Sequence, residues 1–214
     1  MHPLSRELPR PLLNLFLAIV FVVGTAGSAR AQSSVDLDGA RAFMDNLGQQ
    51  TIAILSDPAR TPESMTEQFS EVFSVSFDTR TIGRFVLGTH WRSASEAQQT
   101  EYLDLFREMI VQTYARRFSD YSGEQFVVDG ARPEGERDAL VQTRIIRPDG
   151  PPVAVGWRLR PRDDTFVIID VVVEGVSMLV TQRNDFAAVI QRNGGRVDAL
   201  LDALRQQIAQ ARAG

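Results

Sequence analysis

Few residues in this chain are of the types that catalyse reactions or hold metal ions. The 214 residues include no Cys and only two His, and all 23 basic residues are Arg. A chain without Cys has no thiolate nucleophile and no disulfide framework, and one without Lys has no P-loop lysine. Because only His90 lies beyond the amino-terminal segment, a multi-histidine zinc site is excluded as well. We therefore expect no metal ion, no cofactor and no catalytic residues.

Two side chains are candidates for acid–base chemistry. His90 stands beside Trp91, and a catalytic His needs a nucleophile or an orienting carboxylate close to it in space. Asp170 stands within an apolar run, where a carboxylate either acts as a general acid or base or accepts hydrogen bonds from its surroundings. The structural roles are the more ordinary ones. An exported enzyme that uses His90 and Asp170 stays open as an alternative.

Other charged residues form weaker patterns. Arg158, Arg160 and Arg162 alternate along an apolar run, where they either meet a phosphate or an acidic partner or form the solvated face of a strand. Asp36-Leu37-Asp38-Gly39 shares two acidic positions with a calcium loop. It lacks the third acidic position and the late Glu, so we discount a calcium site there.

The amino-terminal segment has the three parts of a secretory signal peptide. Arg6 and Arg10 precede the apolar run 12–23, and Ala29-Arg30-Ala31 is a small-residue cleavage site. The apolar run is too short to span a bilayer comfortably. We expect residues 1–31 to be cleaved and residues 32–214 to form one exported domain. An uncleaved membrane anchor is the alternative.

The charge of the chain argues against nucleic acid as a partner. Cleavage removes Arg6, Arg10, Arg30 and Glu7 from 23 basic and 27 acidic residues, which leaves 20 against 26 and a formal charge of −6. Proteins that bind nucleic acid usually present a basic face. We therefore expect an acidic, soluble, exported protein.

The first half of the mature chain has apolar residues at helical spacing. The pattern predicts a helix over 35–55, a second helix that starts at Pro62 after the N-cap Thr61, and a short third helix over 81–87 that ends at Gly88. Ser93 and Glu96 have the spacing of a capping box, which predicts the start of a long helix that reaches Phe118.

After Tyr121 the apolar residues change to a period of two, which predicts strands. We expect four strands, over 125–129, 139–147, 153–160 and 166–173, joined by turns too short for a crossover helix. The strands should form an antiparallel meander. The fourth strand is apolar on both sides, so we expect it to be covered on both faces or to face a cavity.

Two more helices are predicted after the strands. The first starts at Thr181 or Gln182 and reaches Arg192, and Gly194-Gly195 separates it from an amphipathic helix that starts near Val197. The elements together predict an α+β fold class. A single domain would hold an antiparallel meander of about four strands and about six or seven helices.

Three segments resemble one known family. Between Phe166 and Phe186 the chain carries Asp170, Glu174-Gly175-Val176-Ser177 and Arg183, in an order that closely resembles the periplasmic lipid carriers typified by MlaC, also called toluene-tolerance auxiliary proteins. The segments 85–92 (FVLGTHWR) and 107–117 (REMIVQTYARR) are similar to two further stretches of that family. The chain departs from the family at Phe166, where Trp is usual, and at Thr181-Gln182, where Asn-Tyr is common.

The resemblance implies a carrier for phospholipid and not an enzyme. In that family, helices and a sheet enclose an apolar pocket that takes the acyl tails. The carrier exchanges lipid with an outer-membrane lipoprotein complex and with an inner-membrane ABC transporter that bears a lipid-binding ring. Relatives serve phospholipids or polycyclic lipids such as hopanoids, and both stay open for this chain.

The wall of such a pocket needs apolar surface beyond that of an ordinary core. We expect it to include large apolar residues of the helices and strands: Phe73, Leu87, Trp91, Phe106, Ile110, Val155, Trp157, Val171 and Met178. Arg183 is expected either to pair with Glu174 or to meet the lipid headgroup. A further alternative is an adaptor that binds only protein, and such a protein would have a solid core with no cavity.

Overall fold

The computed structural model describes residues 35–118 and 120–213, which form an α+β fold. The signal peptide predicted over 1–31 lies outside the described residues. No helix within the described ranges is long and apolar enough to cross a membrane. The elements follow one another as α1 (Leu37–Leu55), α2 (Pro62–Ser76), α3 (Thr79–Leu87), α4 (His90–Ser93), α5 (Glu96–Phe118), β1 (Gln125–Glu134), β2 (Asp138–Ile146), β3 (Val153–Arg162), β4 (Thr165–Val173), β5 (Val176–Ser177), α6 (Met178–Arg192) and α7 (Val197–Ala213).

The sheet is an antiparallel meander in the order β1-β2-β3-β4-β5. The four long strands confirm the predicted meander. The short β5 was not predicted, and it forms because Glu174 and Gly175, with φ of 48° and 82°, make the two-residue turn that hairpins favour. The register shifts between Val128 and Gly130 in β1, and between Arg158 and Leu159 in β3. Such bulges bend a strand and increase its twist.

The starts of α1 and α2 and the end of α3 follow ordinary capping chemistry. Asp36 accepts a hydrogen bond from the Gly39 amide (2.9 Å), so the acidic run that resembled a calcium loop is the first turn of α1. Thr61 and Ser64 form a reciprocal capping box before α2, as the predicted N-cap requires. Helix α3 ends at Gly88, whose φ of 61° suits glycine and confirms the predicted end.

The predicted capping box at the start of the long helix was wrong by two residues. Ser95 Oγ accepts from the Gln98 amide (3.2 Å) and Gln98 Oε1 accepts from the Ser95 amide (2.9 Å). Ser93 instead ends the short helix α4 and donates to the His90 carbonyl (3.0 Å). Both pairs have the same spacing, and the extended backbone at Ala94, with ψ of 140°, decides which one begins α5.

The apolar side chains form two clusters. One lies between α1 and the sheet and includes Ala40 and Met44 of the helix with Val141, Leu159 and Ile168 of the strands. The other is formed by the helices from α3 onward and includes Tyr102, Phe106, Phe186, Leu200 and Leu204. Phe77, the C-cap of α2, packs against both clusters. Its backbone also forms an isolated bridge with Ile168 of β4, so this point joins the helical part to the sheet.

A buried carboxylate joins β4 to the start of α6. Asp170 is only 3% exposed. Its Oδ2 accepts from Ser177 Oγ (2.8 Å) and its Oδ1 accepts from the Leu179 amide (3.3 Å). Ser177 is in turn the N-cap of α6 and accepts from the Val180 amide. Asp170 therefore satisfies helix-terminal donors and holds α6 against the sheet edge.

Glu174, in the turn between β4 and β5, bonds to the neighbouring strand β3. Its Oε1 accepts from the Ala154 amide of β3 (2.7 Å), and its own amide donates to the Ala154 carbonyl (3.0 Å). The carboxylates of Asp170 and Glu174 thus bond to the backbone and to a capping serine. We refer to Asp170, Glu174 and Ser177 as the hairpin clasp.

Removing the buried member of the clasp should destabilise the fold. Asp170→Ala leaves the Leu179 amide and the Ser177 hydroxyl without their acceptor, and we expect a loss of about 2 kcal/mol in the free energy of unfolding. Ser177→Ala should cost about 1 kcal/mol, as for other N-caps. Chemical denaturation measures both. Asp164→Ala, which removes an exposed carboxylate from the β3–β4 turn, should change stability by less than about 0.5 kcal/mol. Equal stability of Asp170→Ala and Asp164→Ala would refute this role.

Candidate functional site

A cavity of about 370 Å³ lies between α1, α2, the end of α5 and the sheet. Most of its wall is apolar. The helical part of the wall comprises Met44, Leu47, Gly48, Ile52 and Leu55 of α1, Phe69 and Val72 of α2, and Tyr114 and Phe118 of α5. The sheet contributes Phe126, Ile145 and Trp157, and Phe77 closes the wall where α2 meets β4. A cavity of this size lies within the range of pockets that bind organic ligands, about 300–1,000 Å³.

The contact between Gly48 and Phe126 sets the distance between α1 and β1. A Cβ at Gly48 would lie 2.2 Å from Phe126 Cδ1, so the ring lies directly on the helix backbone. Glycine inside a helix costs about 1 kcal/mol relative to alanine. The close approach of the ring explains why a glycine occupies this buried position in an otherwise regular helix.

The polar atoms of the inner wall form hydrogen bonds within the protein. Trp157 Nε1 donates to Thr143 Oγ1 (2.9 Å), and that hydroxyl donates to the Val155 carbonyl (3.0 Å). Thr51 Oγ1 donates to the Leu47 carbonyl one turn earlier in α1 (2.8 Å). These bonds leave mainly carbon atoms to face the hollow. A ligand held there would be recognised by apolar contact.

Polar residues collect where the cavity opens to solvent. Arg117 and Asp120 are exposed, and Tyr121 and Glu124 are half-buried. The Tyr121 hydroxyl lies 3.4 Å from Ser56 Oγ at the end of α1 and donates to the Glu124 carbonyl (3.3 Å). The Ser122 amide donates to Glu124 (2.8 Å) and lowers the pKa of that carboxyl. The opening therefore carries side chains of both charges.

A narrow void continues from the cavity between α1 and α2. It shares Thr51, Leu55, Phe69, Val72 and Phe118 with the cavity wall and adds Ile54 and Met65. Its volume is only about 10 Å³. Five of its seven lining residues therefore also line the cavity.

One of the nine residues predicted for the pocket, Trp157, lines this cavity. Phe73 lies one layer behind the wall, with its ring centroid 6.0 Å from that of Phe69 and 4.5 Å from that of Phe77. Val155 and Val171 share the face of Trp157 on the sheet, as β3 neighbour and as β4 partner. Met178 is the first residue of α6.

The remaining predicted residues pack in the helical cluster. Leu87, Trp91 and Phe106 are buried there, and Ile110 packs against them. Their assignment as lipid contacts stays a prediction. The sequence reasoning missed the α1 residues of the wall. A buried glycine at 48 within the apolar stripe from Met44 to Leu55 was the available sign that another element approaches α1 closely.

The candidate acid and base are not arranged as a pair. The hydrogen-bond partners of Asp170 are Ser177 and Leu179. His90, which is the first residue of α4, is not one of them. His90 and Asp170 are also absent from the wall of the cavity. Within residues 35–118 and 120–213, no group of three or more His, Asp or Glu side chains is placed to hold a metal ion.

The structure shows which residues several of the candidate arginines contact. The pairing of Arg183 with Glu174 was wrong, because Glu174 bonds to β3 while Arg183 lies over the ring of Phe85 in α3, 5.0 Å from its centroid. Arg160 makes two bonds of 2.8 Å to Asp138, and Arg158 lies 3.4 Å from Glu134. The arginine row of β3 is thus mostly paired along the sheet.

Sequence comparison finds one protein family and characterised relatives. Residues 45–206 match the family model described as MlaC protein. The chain is 26% identical over 132 residues to the intermembrane phospholipid transport system binding protein MlaC of Haemophilus influenzae, a match that spans 60% of this chain and 61% of that protein. It is 21% identical over 152 residues to the toluene tolerance protein ttg2D of Pseudomonas putida, covering 71% of each chain.

A solved structure shares the fold. The phospholipid-binding protein of Ralstonia solanacearum, determined in complex with a phospholipid, superposes with a TM-score of 0.72 and 22% sequence identity, and covers 81% of this chain and 98% of that one. The match to the family model spans most of the chain and includes every residue named in the cavity wall except Met44. The chain therefore belongs to the MlaC family.

Proposed function

We propose that this protein is a periplasmic carrier that holds the acyl tails of a phospholipid in the cavity between α1, α2, α5 and the sheet. The observation that carries the proposal is a largely apolar hollow whose inner polar groups, at Thr51 and Trp157, form hydrogen bonds within the protein. The Ralstonia protein with the same fold was solved in complex with a phospholipid, which supports the same class of ligand here.

The physical need for such a carrier is large. Two acyl chains with about thirty methylenes, at about 0.8 kcal/mol each, cost roughly 25 kcal/mol to expose to water. A protein that covers the tails removes most of this cost and requires no chemical step. The proposed function is therefore non-enzymatic, and its partners are the outer-membrane and inner-membrane complexes between which the lipid moves.

The proposal also gives the two ends of the lipid different places. The tails would occupy the inner part of the cavity near Met44, Gly48 and Leu55, all of which are buried. The headgroup then lies at the opening, where Arg117 and Glu124 meet solvent. The void between α1 and α2 provides the direction in which longer tails extend, through displacement of Phe69 and Val72.

The main test is the identity of the molecule that accompanies the protein. Organic extraction of the purified protein, followed by mass spectrometry, should release phospholipid in an amount comparable to that of the protein. Release of hopanoid alone would replace phospholipid with a polycyclic lipid as the ligand. If no lipid is bound, and none moves from donor to acceptor vesicles when the protein is added, the carrier function is wrong.

Filling the cavity should weaken lipid binding strongly without unfolding the protein. Ile52→Trp places a large side chain into a space that exists, so its packing cost is small, and we expect bound lipid to fall about tenfold. Ala53→Trp is the matched control, since residue 53 is the exposed neighbour on the same helix. Thermal unfolding and lipid content measure the two effects. Equal lipid content in both variants would show that the tails lie elsewhere.

The approach of α1 to β1 should also control the cavity. The methyl group of Gly48→Ala would clash with the ring of Phe126 and force it to move, and overpacking of this kind costs about 1–3 kcal/mol of stability. The displaced ring should occupy part of the hollow and lower lipid transfer several-fold. Gly130→Ala, where no atom lies within 4 Å of the added Cβ, is the control for the same substitution. Unchanged transfer by Gly48→Ala would separate the helix contact from lipid binding.

A further inference from the structure

Three arginines line one shallow pocket on the surface of α3, α4 and α6. Arg84, Arg92 and Arg183 surround it together with Phe85, Gly88, Thr89 and Trp91. We call this site the arginine pocket. None of its residues lines the lipid cavity, so the two sites are formed by different parts of the fold.

Two of the guanidinium groups are held in place by aromatic rings. Arg84 lies over Trp91, with Cζ 5.5 Å from the ring centroid, and Arg183 lies over Phe85 at 5.0 Å. Arg183 also crosses Gly88, where an added Cβ would lie only 3.2 Å from its Nε and Nη2. Stacking occupies the faces of a guanidinium and leaves its N–H edges free to donate.

No carboxylate is placed to neutralise these arginines. The residues that line the arginine pocket include no Asp or Glu. Among the described residues, the ion pairs engage Arg132, Arg144, Arg158, Arg160, Arg205 and Arg212, and not the three arginines of the pocket. Three free cations in one concave site are unexpected in a chain with 27 acidic and 23 basic residues.

The chain folds two distant segments together to make this site. Residues 84–92 supply two of the arginines, and Arg183 arrives from α6, more than ninety positions later. Gly88 allows the approach because it has no side chain, and its φ of 61° ends α3 at the same point. The hairpin clasp fixes the start of α6 and thereby the position of Arg183.

We propose that the arginine pocket binds a phosphate group. Guanidinium edges match the oxygens of a phosphate in pairs, and charge-assisted hydrogen bonds of this kind are stronger than neutral ones. The phosphate comes either from a lipid headgroup presented at a membrane surface or from a soluble phosphate ester. The site is separate from the cavity, so the proposal stands or falls independently of what the cavity holds.

The test compares two double variants of equal charge. Arg84→Gln with Arg183→Gln removes the two stacked guanidinium groups. Arg80→Gln with Arg192→Gln removes two exposed arginines from the same two helices, outside the pocket. Inorganic phosphate and glycerol 3-phosphate are titrated against chloride at equal ionic strength, and the arginine Nε–H resonances are followed by NMR. Flotation with phosphatidylglycerol vesicles, with phosphatidylcholine vesicles as reference, tests the membrane source.

The phosphate probes should shift the resonances of Arg84 and Arg183 in the wild-type protein. The pocket variant should bind at least about tenfold more weakly, and the control variant should bind within about twofold of wild type. Vesicle binding that requires both phosphatidylglycerol and the pocket arginines identifies a headgroup as the source. Binding of the soluble probes alone identifies a soluble phosphate.

Three results would overturn the proposal. One is the absence of any response to the soluble probes and to the vesicles. Another is equal weakening in the pocket and control variants, which would indicate only the net charge of the protein. The third is binding of a hexaglutamate peptide without a response to phosphate, which would assign the pocket to an acidic protein segment. Lipid content of the cavity should be unchanged in both double variants.

Discussion

The rest of the structure depends on how closely one helix approaches the sheet. At Gly48 the ring of Phe126 lies on the backbone of α1, and no side chain separates them. The amino-terminal half of α1 packs against the sheet through Ala40, as in an ordinary core, and Met44 belongs both to this core and to the cavity wall. The second half, from Leu47 to Leu55, faces a hollow. The same helix is thus both a core element and a cavity wall, and the ring at Gly48 lies where one becomes the other.

The residues that make the sequence similar to the MlaC family have mostly structural roles in this chain. Asp170, Glu174 and Ser177 form a clasp that turns the chain from the sheet into α6. Gly88 ends α3 and makes room for the arginine from α6. A carboxylate in an apolar strand and a conspicuous Glu-Gly pair invite a catalytic interpretation. Their hydrogen bonds to backbone amides and to a capping serine account for them without one.

The cavity and the arginine pocket depend on opposite kinds of interaction within one fold. In the proposed function the cavity binds its ligand by removing carbon surface from water, and the polar groups of its inner wall bond within the protein. The arginine pocket leaves charged donors unsatisfied and open to solvent. Separation of the two sites has a simple advantage, because an unpaired guanidinium inside an apolar hollow would carry a large desolvation cost. Arg117, the arginine at the cavity, accordingly lies at its exposed opening.

Local sequence patterns determined most of the secondary structure. The N-cap at Thr61, the stop at Gly88, the change of period after Tyr121 and the short turns led to the helices and to the antiparallel meander. These features depend on contacts within a few residues, so one segment suffices to predict them. The capping box of α5 shows the limit of such prediction. The pairs Ser93/Glu96 and Ser95/Gln98 have equal spacing, and the extended backbone at Ala94 decides that the second pair begins the helix.

Only the tertiary structure decided which apolar residues enclose the hollow. Periodicity identifies the face that an element buries, but it does not reveal which element covers that face or whether the cover is complete. Leu87, Trp91 and Phe106 pack in the helical cluster, whereas Leu47 and Ile52 meet the hollow. All five are large or branched apolar residues on helices. What separates them is the distance to a neighbour far away in sequence, and that distance exists only once the chain has folded.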